Sequence, residues 1–268
     1  MLSSMSIYFT LLYFFVYGFL GWCTEVGFAA FKTHHFVNRG FLNGPICPIY
    51  GVGVTAVITV LTPYKSDIIV LYILSVVLVT VLEGVTGWAM DKIFHNKWWD
   101  YSDMPLNIGG YVCLLFSIVW GFACLFIIYF IQPLVHDLLA FIPTIVGIIL
   151  IIILGITLIA DLYVTASTIF KFNRRLAAME KIAAEMHEIS EQIGQEIFEK
   201  TIRALDARER SQEISEELRS RIASLHTRYH ESTDKPGRIS RRLMNAFPKM
   251  ESRQYKESLE VLKKRWKR

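Results

Sequence analysis

Five long apolar runs follow one another in the first 166 residues, and they restrict this part of the chain to folds built in a membrane. A helix needs about 20 mostly apolar residues to cross the hydrocarbon of a bilayer. From residue 167 onward charged residues recur throughout, which indicates a soluble tail. The transmembrane domain is therefore predicted at 1–166, with spans at 7–31, 46–61, 68–90, 108–131 and 138–163.

Basic residues in the short loops give the direction in which these runs cross, since such residues concentrate on the cytoplasmic side. Lys32 and Arg39 follow the first run, Lys92 and Lys97 follow the third, and the loop after the second offers only Lys65. Five spans then place the N-terminus outside and loops one and three in the cytoplasm with the C-terminus. The first run has no basic region before it and no cleavage site, so we expect a retained helix. The predicted fold is an all-α, polytopic membrane protein with a cytoplasmic helical tail.

Two acidic residues lie inside these spans at one depth. Glu25 and Glu83 each precede the inner end of their span by about two helical turns, which puts both roughly 10 Å inside the cytoplasmic edge. An ionised carboxylate at mid-bilayer costs about 2.5–3.5 kcal/mol on insertion scales. We interpret the pair as the floor of a cytoplasm-facing polar pocket. The alternative is that these acids pair with neighbouring groups and fix the helix packing.

The first of the two inner loops, NRGFLNGPICPIYG at 38–51, cannot form one continuous helix. Prolines remove backbone donors, and glycines permit turns that other residues resist. We expect a shaped loop whose polar groups come from Arg39 and Asn43. The residues that shape it are Gly40, Gly44, Pro45 and Pro48.

The third loop, KIFHNKWWDYSDMPLNIGG at 92–110, contains aromatic residues that favour the membrane interface, Trp99 and Tyr101 among them. Asp100 is less expected beside anionic lipid, and we predict that it pairs with Arg39 across the two loops. Asn107 stands in this loop much as Asn43 does in the first, a match that suggests two related hairpins.

The tail has two predicted parts. At 167–232 apolar residues recur every three or four positions, which indicates an amphipathic or coiled-coil helix. Two reversing helices and a self-pairing coil, hence a homo-oligomer, both fit this pattern. The segment 233–268 is basic, and membrane lipid is the nearest negative surface for it. No recognition motif supports nucleic acid binding.

Motifs for several enzyme classes are missing from the sequence. It contains no GxxxxGK[ST] loop for ATP, no HExxH and no GxSxG. His34, His35 and Cys47 match no standard metal-ligand spacing. We therefore predict no metal, no cofactor and no catalytic residue, and we expect that the chain is not itself an enzyme.

Four motifs in order resemble the ABC-transporter type IV permease family of bacteria: GWCTEVGF at 21–28, NRGFLNGPICPIYG at 38–51, EGVTGW at 83–88 and WWDYSDMPLNIGG at 98–110. The resemblance covers roughly the first 165 residues and implies a permease of the bacterial inner membrane that works with a separate ATPase. The motif residues that it marks are Glu25, Arg39, Gly40, Gly44, Pro45, Pro48, Glu83, Trp99, Asp100, Tyr101 and Asn107.

Three functions fit these observations. The leading hypothesis is a transporter component with a substrate or ion site. A membrane scaffold that recruits partners through its basic tail is the second, and an enzyme acting on a lipid head group is the third. The candidate site residues are Glu25, Arg39, Asn43, Glu83, Asp100 and Asn107.

Overall fold

The computed structural model of the protein describes residues 7–206, 216–233 and 237–266. These form two compact units, the first from residues up to Thr168 together with Arg238–Arg253, and the second from Ile169–Gly237 and Gln254–Arg268. The basic segment predicted as one tail is thus divided between the units. Residues 207–215 of the predicted helical tail lie outside the described residues.

Nine α-helices and four two-residue strands are present in the described ranges. The helices are α1 (Ile7–Thr33), α2 (Pro48–Leu61), α3 (Ile68–Phe94), α4 (Leu114–Phe126), α5 (Gln132–Ala140), α6 (Thr144–Asp206), α7 (Glu216–Thr233), α8 (Arg238–Ala246) and α9 (Lys256–Trp266). The strands are β1 (Asn96–Lys97), β2 (Asn107–Ile108), β3 (Val112–Cys113) and β4 (Glu251–Ser252). In antiparallel ladders β1 pairs with β4 and β2 pairs with β3.

Four helical segments of the described chain are long and apolar enough to cross a membrane: Ile7–Thr33, Ile68–Phe94, Leu114–Ala140 and Thr144–Gln195. The predicted second span corresponds to a helix that is shorter than these four. It consists of α2, which starts at Pro48, and a 3₁₀ turn at Thr62–Tyr64. A proline at the first helical position suits a helix start, since its missing N–H has no partner there in any helix. Five spans, and the direction of crossing, stay predictions.

The helices that contain the predicted fourth and fifth spans have other bounds than those spans: one apolar segment runs over Leu114–Ala140, and α6 begins at Thr144. Residues 108–113 form part of the β2–β3 hairpin, because Gly109 and Gly110 adopt positive φ values of 61° and 72° that turn the chain. The fourth span then continues through a π-helical turn at Ile127–Ile131 into α5 and ends at Ala140. Its polar residues are paired within the unit: Gln132 accepts a 2.6 Å hydrogen bond from Tyr17, and His136 Nδ1 lies 2.6 Å from the Tyr13 hydroxyl.

In the first unit α1 packs mainly on α2, and α3 packs mainly on α4. Small residues let α1 and α2 approach closely: a Cβ added at Gly21 would lie 2.4 Å from Tyr50 Cβ, and one at Gly51 would lie 2.6 Å from the Phe14 carbonyl oxygen. Two buried clusters fill the interior. They comprise Leu12, Tyr13, Tyr17, Ile58, Val135 and Leu139, and Val57, Leu61, Leu71, Cys124 and Ile128.

The second unit is built on the later part of α6. Ile182 and Ile189 of this helix pack with Leu225 of α7 in one buried cluster. A self-pairing coil stays a prediction. Helix α9 joins the unit through Trp266, whose ring lies 6.2 Å from that of Phe172, and through Ser258, which donates to Glu180 at 3.0 Å.

Candidate functional site

Glu25 of α1 forms one half of the site. Its carboxylate oxygen Oε2 lies 3.4 Å from Arg39 Nε, and its Oε1 accepts a 2.7 Å hydrogen bond from the Tyr50 hydroxyl on α2. The Arg39 guanidinium also stacks over the Phe28 ring, 5.5 Å from its centroid. The predicted acid thus has a cation and a hydroxyl as partners, and both side chains of the ion pair remain about a quarter to a third exposed.

Glu83 of α3 forms the other half. Its Oε1 accepts a hydrogen bond of 3.3 Å from the Tyr101 hydroxyl, while its Oε2 is shielded from solvent and has no hydrogen-bond partner among the described residues. Burial raises the pKa of Tyr101 well above its usual range, and the negative charges of Glu83 and Glu25 raise it further. Tyr101 therefore lies in the electric field of both carboxylates, and it stays a neutral donor at neutral pH.

The loop that carries Arg39 is folded by its own asparagines. The Asn38 side chain accepts from Trp22 Nε1 at 2.8 Å and from Gly40 N at 3.1 Å, and donates to the Asn43 carbonyl at 2.9 Å. Leu42 between them is fully buried. Arg39 is thereby held in a fixed loop rather than on a free connector.

Asp161 of α6 fastens the far end of this loop. Its carboxylate accepts from the backbone N–H of Asn43 and Gly44, at 3.1 and 2.7 Å, and from the Asn43 side-chain amide at 2.7 Å. A Cβ at Gly44 would lie 3.3 Å from Asp161 Oδ2, so a larger residue would crowd the carboxylate. Gly40 is similarly tight, at 3.1 Å from the Trp22 ring. Pro45 follows in the turn, and Pro48 starts α2.

The predicted pairing of Asp100 with Arg39 was wrong. Asp100 accepts a 2.7 Å hydrogen bond from Lys97 Nζ in its own loop, together with bonds from the Ser102 hydroxyl and backbone N–H. Burial disfavours the charged form of Asp100, but the bonds from Lys97 and Ser102 outweigh it and lower its pKa to about 2. Arg39 is already engaged by Glu25, and Lys97 is nearer in sequence, which makes its loop cheaper to close.

Asn107 and Trp99 shape this loop. Within the described residues, neither forms a hydrogen bond with the carboxylate of Glu25 or Glu83. The Asn107 amide donates to the carbonyls of Ser102 and Met104, and its oxygen accepts from Gly110 N at 3.1 Å. Trp99 Nε1 donates to the Tyr111 carbonyl at 2.9 Å. Of the six site candidates, the structure thus connects Glu25 with Arg39 and brings Glu83 near them through Tyr101. Asp100 and Asn107 bind the backbone of their own loop, whereas the Asn43 side chain binds the side chains of Asp161, Thr165 and Arg242.

Sequence reasoning missed two groups that matter for the site. The first is Tyr50, which lies in the NRGFLNGPICPIYG motif and donates to Glu25; a tyrosine hydroxyl is a natural donor to a buried carboxylate. The second is Arg242 of α8, whose Nη1, Nη2 and Nε donate to the Gly40 carbonyl, the Phe41 carbonyl and Asn43 Oδ1, at 2.7, 2.9 and 3.1 Å. Its separation of about 200 residues from the loop leaves no sequence signal.

Chemically, the arrangement offers two carboxylates in apolar surroundings, two neutral hydroxyl donors and one arginine. It suits the binding of a proton or a cationic group better than the activation of a nucleophile. Within the described chain, no three His, Cys, Asp or Glu residues lie close enough together to hold a metal ion.

Four helical segments of the described chain that are long and apolar enough to cross a membrane define a multi-pass membrane protein. A family model described as "Putative ABC-transporter type IV" matches residues 12–166, and the chain belongs to this family. The match covers α1 to α5 and the apolar part of α6, and includes every candidate site residue predicted from the sequence. Nothing among the curated proteins or the solved structures matches the chain.

Proposed function

We propose that this protein is the permease component of a membrane transporter, and that Glu25 and Glu83 together bind a proton or the cationic group of a substrate. One observation carries the proposal, namely the Glu83 Oε2 atom that is shielded and lacks a hydrogen-bond partner in the described chain. A desolvated acceptor without a donor costs roughly 1–3 kcal/mol, and more when charged. A bound proton or cation removes this cost.

The neighbouring groups support a site that changes its charge. Tyr101 and Tyr50 each donate to one carboxylate, so each acid keeps a second oxygen. At Glu25 that oxygen faces Arg39 at 3.4 Å, a distance at which an arriving ligand competes readily with the ion pair. Glu83 is then the primary binding group, and Glu25 with Arg39 is the partner that adjusts to occupancy.

Energy for transport would come from another subunit. The chain has no phosphate-binding GxxxxGK[ST] loop. Its family is described as an ABC-transporter type, a class of transporter that uses ATP. We therefore propose a separate ATPase as partner, a location in the bacterial inner membrane, and inner loops that face the cytoplasm. No catalytic role is proposed for any residue of this chain.

The test is rescue of a deletion strain by full-length variants produced at equal levels in the membrane. Glu83→Gln and Glu25→Gln are expected to lose rescue, whereas Asp103→Asn, which removes an exposed loop acid, is expected to keep it. Full rescue by both glutamine variants would exclude the site. Loss of rescue on deleting 254–268 alone, with both glutamine variants active, would instead favour the scaffold hypothesis.

A direct measurement complements the genetics. N,N′-dicyclohexylcarbodiimide modifies protonated carboxyl groups in apolar surroundings, and mass spectrometry of the purified protein locates the adduct. We expect the adduct on Glu83, with less on Asp103 or Asp137. Affinity purification from native membranes tests the ATPase: a nucleotide-binding subunit is expected to co-purify with the wild-type chain.

A further inference from the structure

The segment Arg238–Arg253 belongs to the same compact unit as the membrane helices, although it comes after the family match has ended. It contacts both loops that supply partners to the two carboxylates. Through Arg242 it holds the loop that carries Arg39, and through β4 it holds the loop that carries Tyr101.

The contact with the first loop is made by one guanidinium. Arg242 donates three hydrogen bonds, to the carbonyls of Gly40 and Phe41 and to Asn43 Oδ1. Two of these acceptors directly follow Arg39 in the chain. Burial lowers the pKa of Arg242 from its ordinary value while the charge of Asp161 opposes this, as expected for a cation withdrawn from water into a cradle of oxygens.

The contact with the third loop is made by backbone, ion pair and rings. Strand β4 pairs with β1, Arg253 N donates to the His95 carbonyl at 3.0 Å, and the Arg253 guanidinium binds Asp91 at 2.8 and 3.1 Å. The Phe247 ring meets Trp98 edge to face with centroids 5.1 Å apart. Leu243, Ala246 and Met250 are buried in the same segment.

We propose that Arg238–Arg253 is a built-in clamp that closes the acidic site by fixing the Arg39 and Tyr101 loops together, and that its release opens the site to water. The contacts of Arg238–Arg253 with the two loops are seen within one compact unit. The role of the clamp as a gate rests on the proposed function. Arg242 is a positioning residue in this scheme: it acts on Glu25 only through the loop that bears Arg39.

A natural probe lies at the site. Cys47 is 6% exposed, its backbone N–H donates to the Gly18 carbonyl at 2.9 Å, and it stands three residues before Tyr50, the partner of Glu25. With Cys23, Cys113 and Cys124 replaced by serine, a membrane-impermeant maleimide reports the exposure of Cys47 alone. The full-length protein is labelled in nanodiscs, and the rate is followed by mass.

Arg242→Ala and Arg253→Ala are each expected to raise the labelling rate at least about tenfold, because each removes charge-assisted bonds that hold a loop. Arg241→Ala is the matched control, since it removes the same charge from the adjacent exposed position of α8. Arg242→Lys is expected to give a labelling rate between those of wild type and Arg242→Ala, because an ammonium group cannot bind all three acceptors as the planar guanidinium does. Equal rates in all four proteins, or an equal rise in Arg241→Ala, would overturn the clamp.

A second variant keeps the test decisive if Arg242→Ala fails to fold. Asn96 and Ser252 are cross-strand partners in the antiparallel β1–β4 pair. The neighbouring pair, His95 with Arg253, is hydrogen-bonded, so Asn96 and Ser252 form a non-hydrogen-bonded pair. In such pairs the two Cα atoms lie closer together. Asn96→Cys with Ser252→Cys is expected to form a disulfide that slows labelling of Cys47 several-fold, and reduction is expected to restore it; peptide mapping by mass separates the Cys47 adduct from adducts at positions 96 and 252. Identical rates in the oxidised and reduced forms would overturn the clamp. Because labelling needs no transported substrate, it can fail or succeed independently of the Glu83 and Glu25 rescue experiment.

Discussion

Asp161 binds Gly44 through a 2.7 Å hydrogen bond from the backbone N–H to its carboxylate, and this contact joins α6 to a loop that lies 117 residues earlier. The same carboxylate takes two more N–H groups from Asn43. Three donors on one acid are sufficient to fix a turn that has no regular secondary structure of its own.

Asp161→Ala is expected to destabilise the protein by about 2–4 kcal/mol, because it leaves the N–H groups of Asn43 and Gly44 without an acceptor. Thermal unfolding in detergent measures the change. Asp137→Ala, which removes an exposed acid of α5, is the control and is expected to change stability by less than about 0.5 kcal/mol. Equal midpoints for the two variants would contradict the anchoring role of Asp161.

Gly21→Ala is expected to displace α2 from α1, because the new methyl group would lie 2.4 Å from the Cβ of Tyr50. Overpacking of this kind typically costs about 1–3 kcal/mol, and it would shift the Tyr50 hydroxyl away from Glu25. Gly27→Ala on the same helix meets nothing within 4 Å and is expected to be neutral or stabilising. The prediction fails if the two alanine variants unfold at the same temperature.

Tyr17→Phe is expected to destabilise the protein by about 1–2 kcal/mol, since it leaves the Gln132 oxygen without its donor in a buried setting. Tyr72→Phe removes a longer and more exposed hydroxyl bond, of 3.3 Å to the Ile118 carbonyl, and is the matched control. Unfolding midpoints give the comparison, and a larger loss in Tyr72→Phe would contradict it.

The Lys97–Asp100 pair predicts a specific dependence on pH. Because the pKa of Asp100 is lowered to about 2 in the folded protein, its contribution to stability is fully present above the unfolded value of about 4 and is lost as pH falls through about 2. Asp100→Asn is therefore expected to be less stable than wild type at pH 7, with a difference that shrinks between pH 4 and pH 2. A difference independent of pH over this range would show that the charge on Asp100 is not involved.

Much of the membrane architecture follows from apolar pattern alone, since length and hydrophobicity select helices in lipid. The prediction was least accurate where polar residues occur within a span. The fourth span was predicted to end at residue 131, yet Tyr17 and Tyr13 pair with Gln132 and His136, and the helix continues to Ala140. The identity of such partners depends on neighbouring helices, which a local pattern does not contain.

The apolar helices, the helical tail, the family and the two acids within candidate spans can all be identified from the sequence. The groups that those acids meet are fixed by the tertiary structure. Glu25 meets Arg39 and Tyr50, whereas Asp100 takes Lys97 instead of the predicted Arg39. The C-terminal clamp was invisible to the sequence for the same reason. Hydrophobic periodicity is a local property of the chain, but ion pairs and hydrogen bonds such as Arg242 to the Gly40 carbonyl are set by the distances that long-range packing creates.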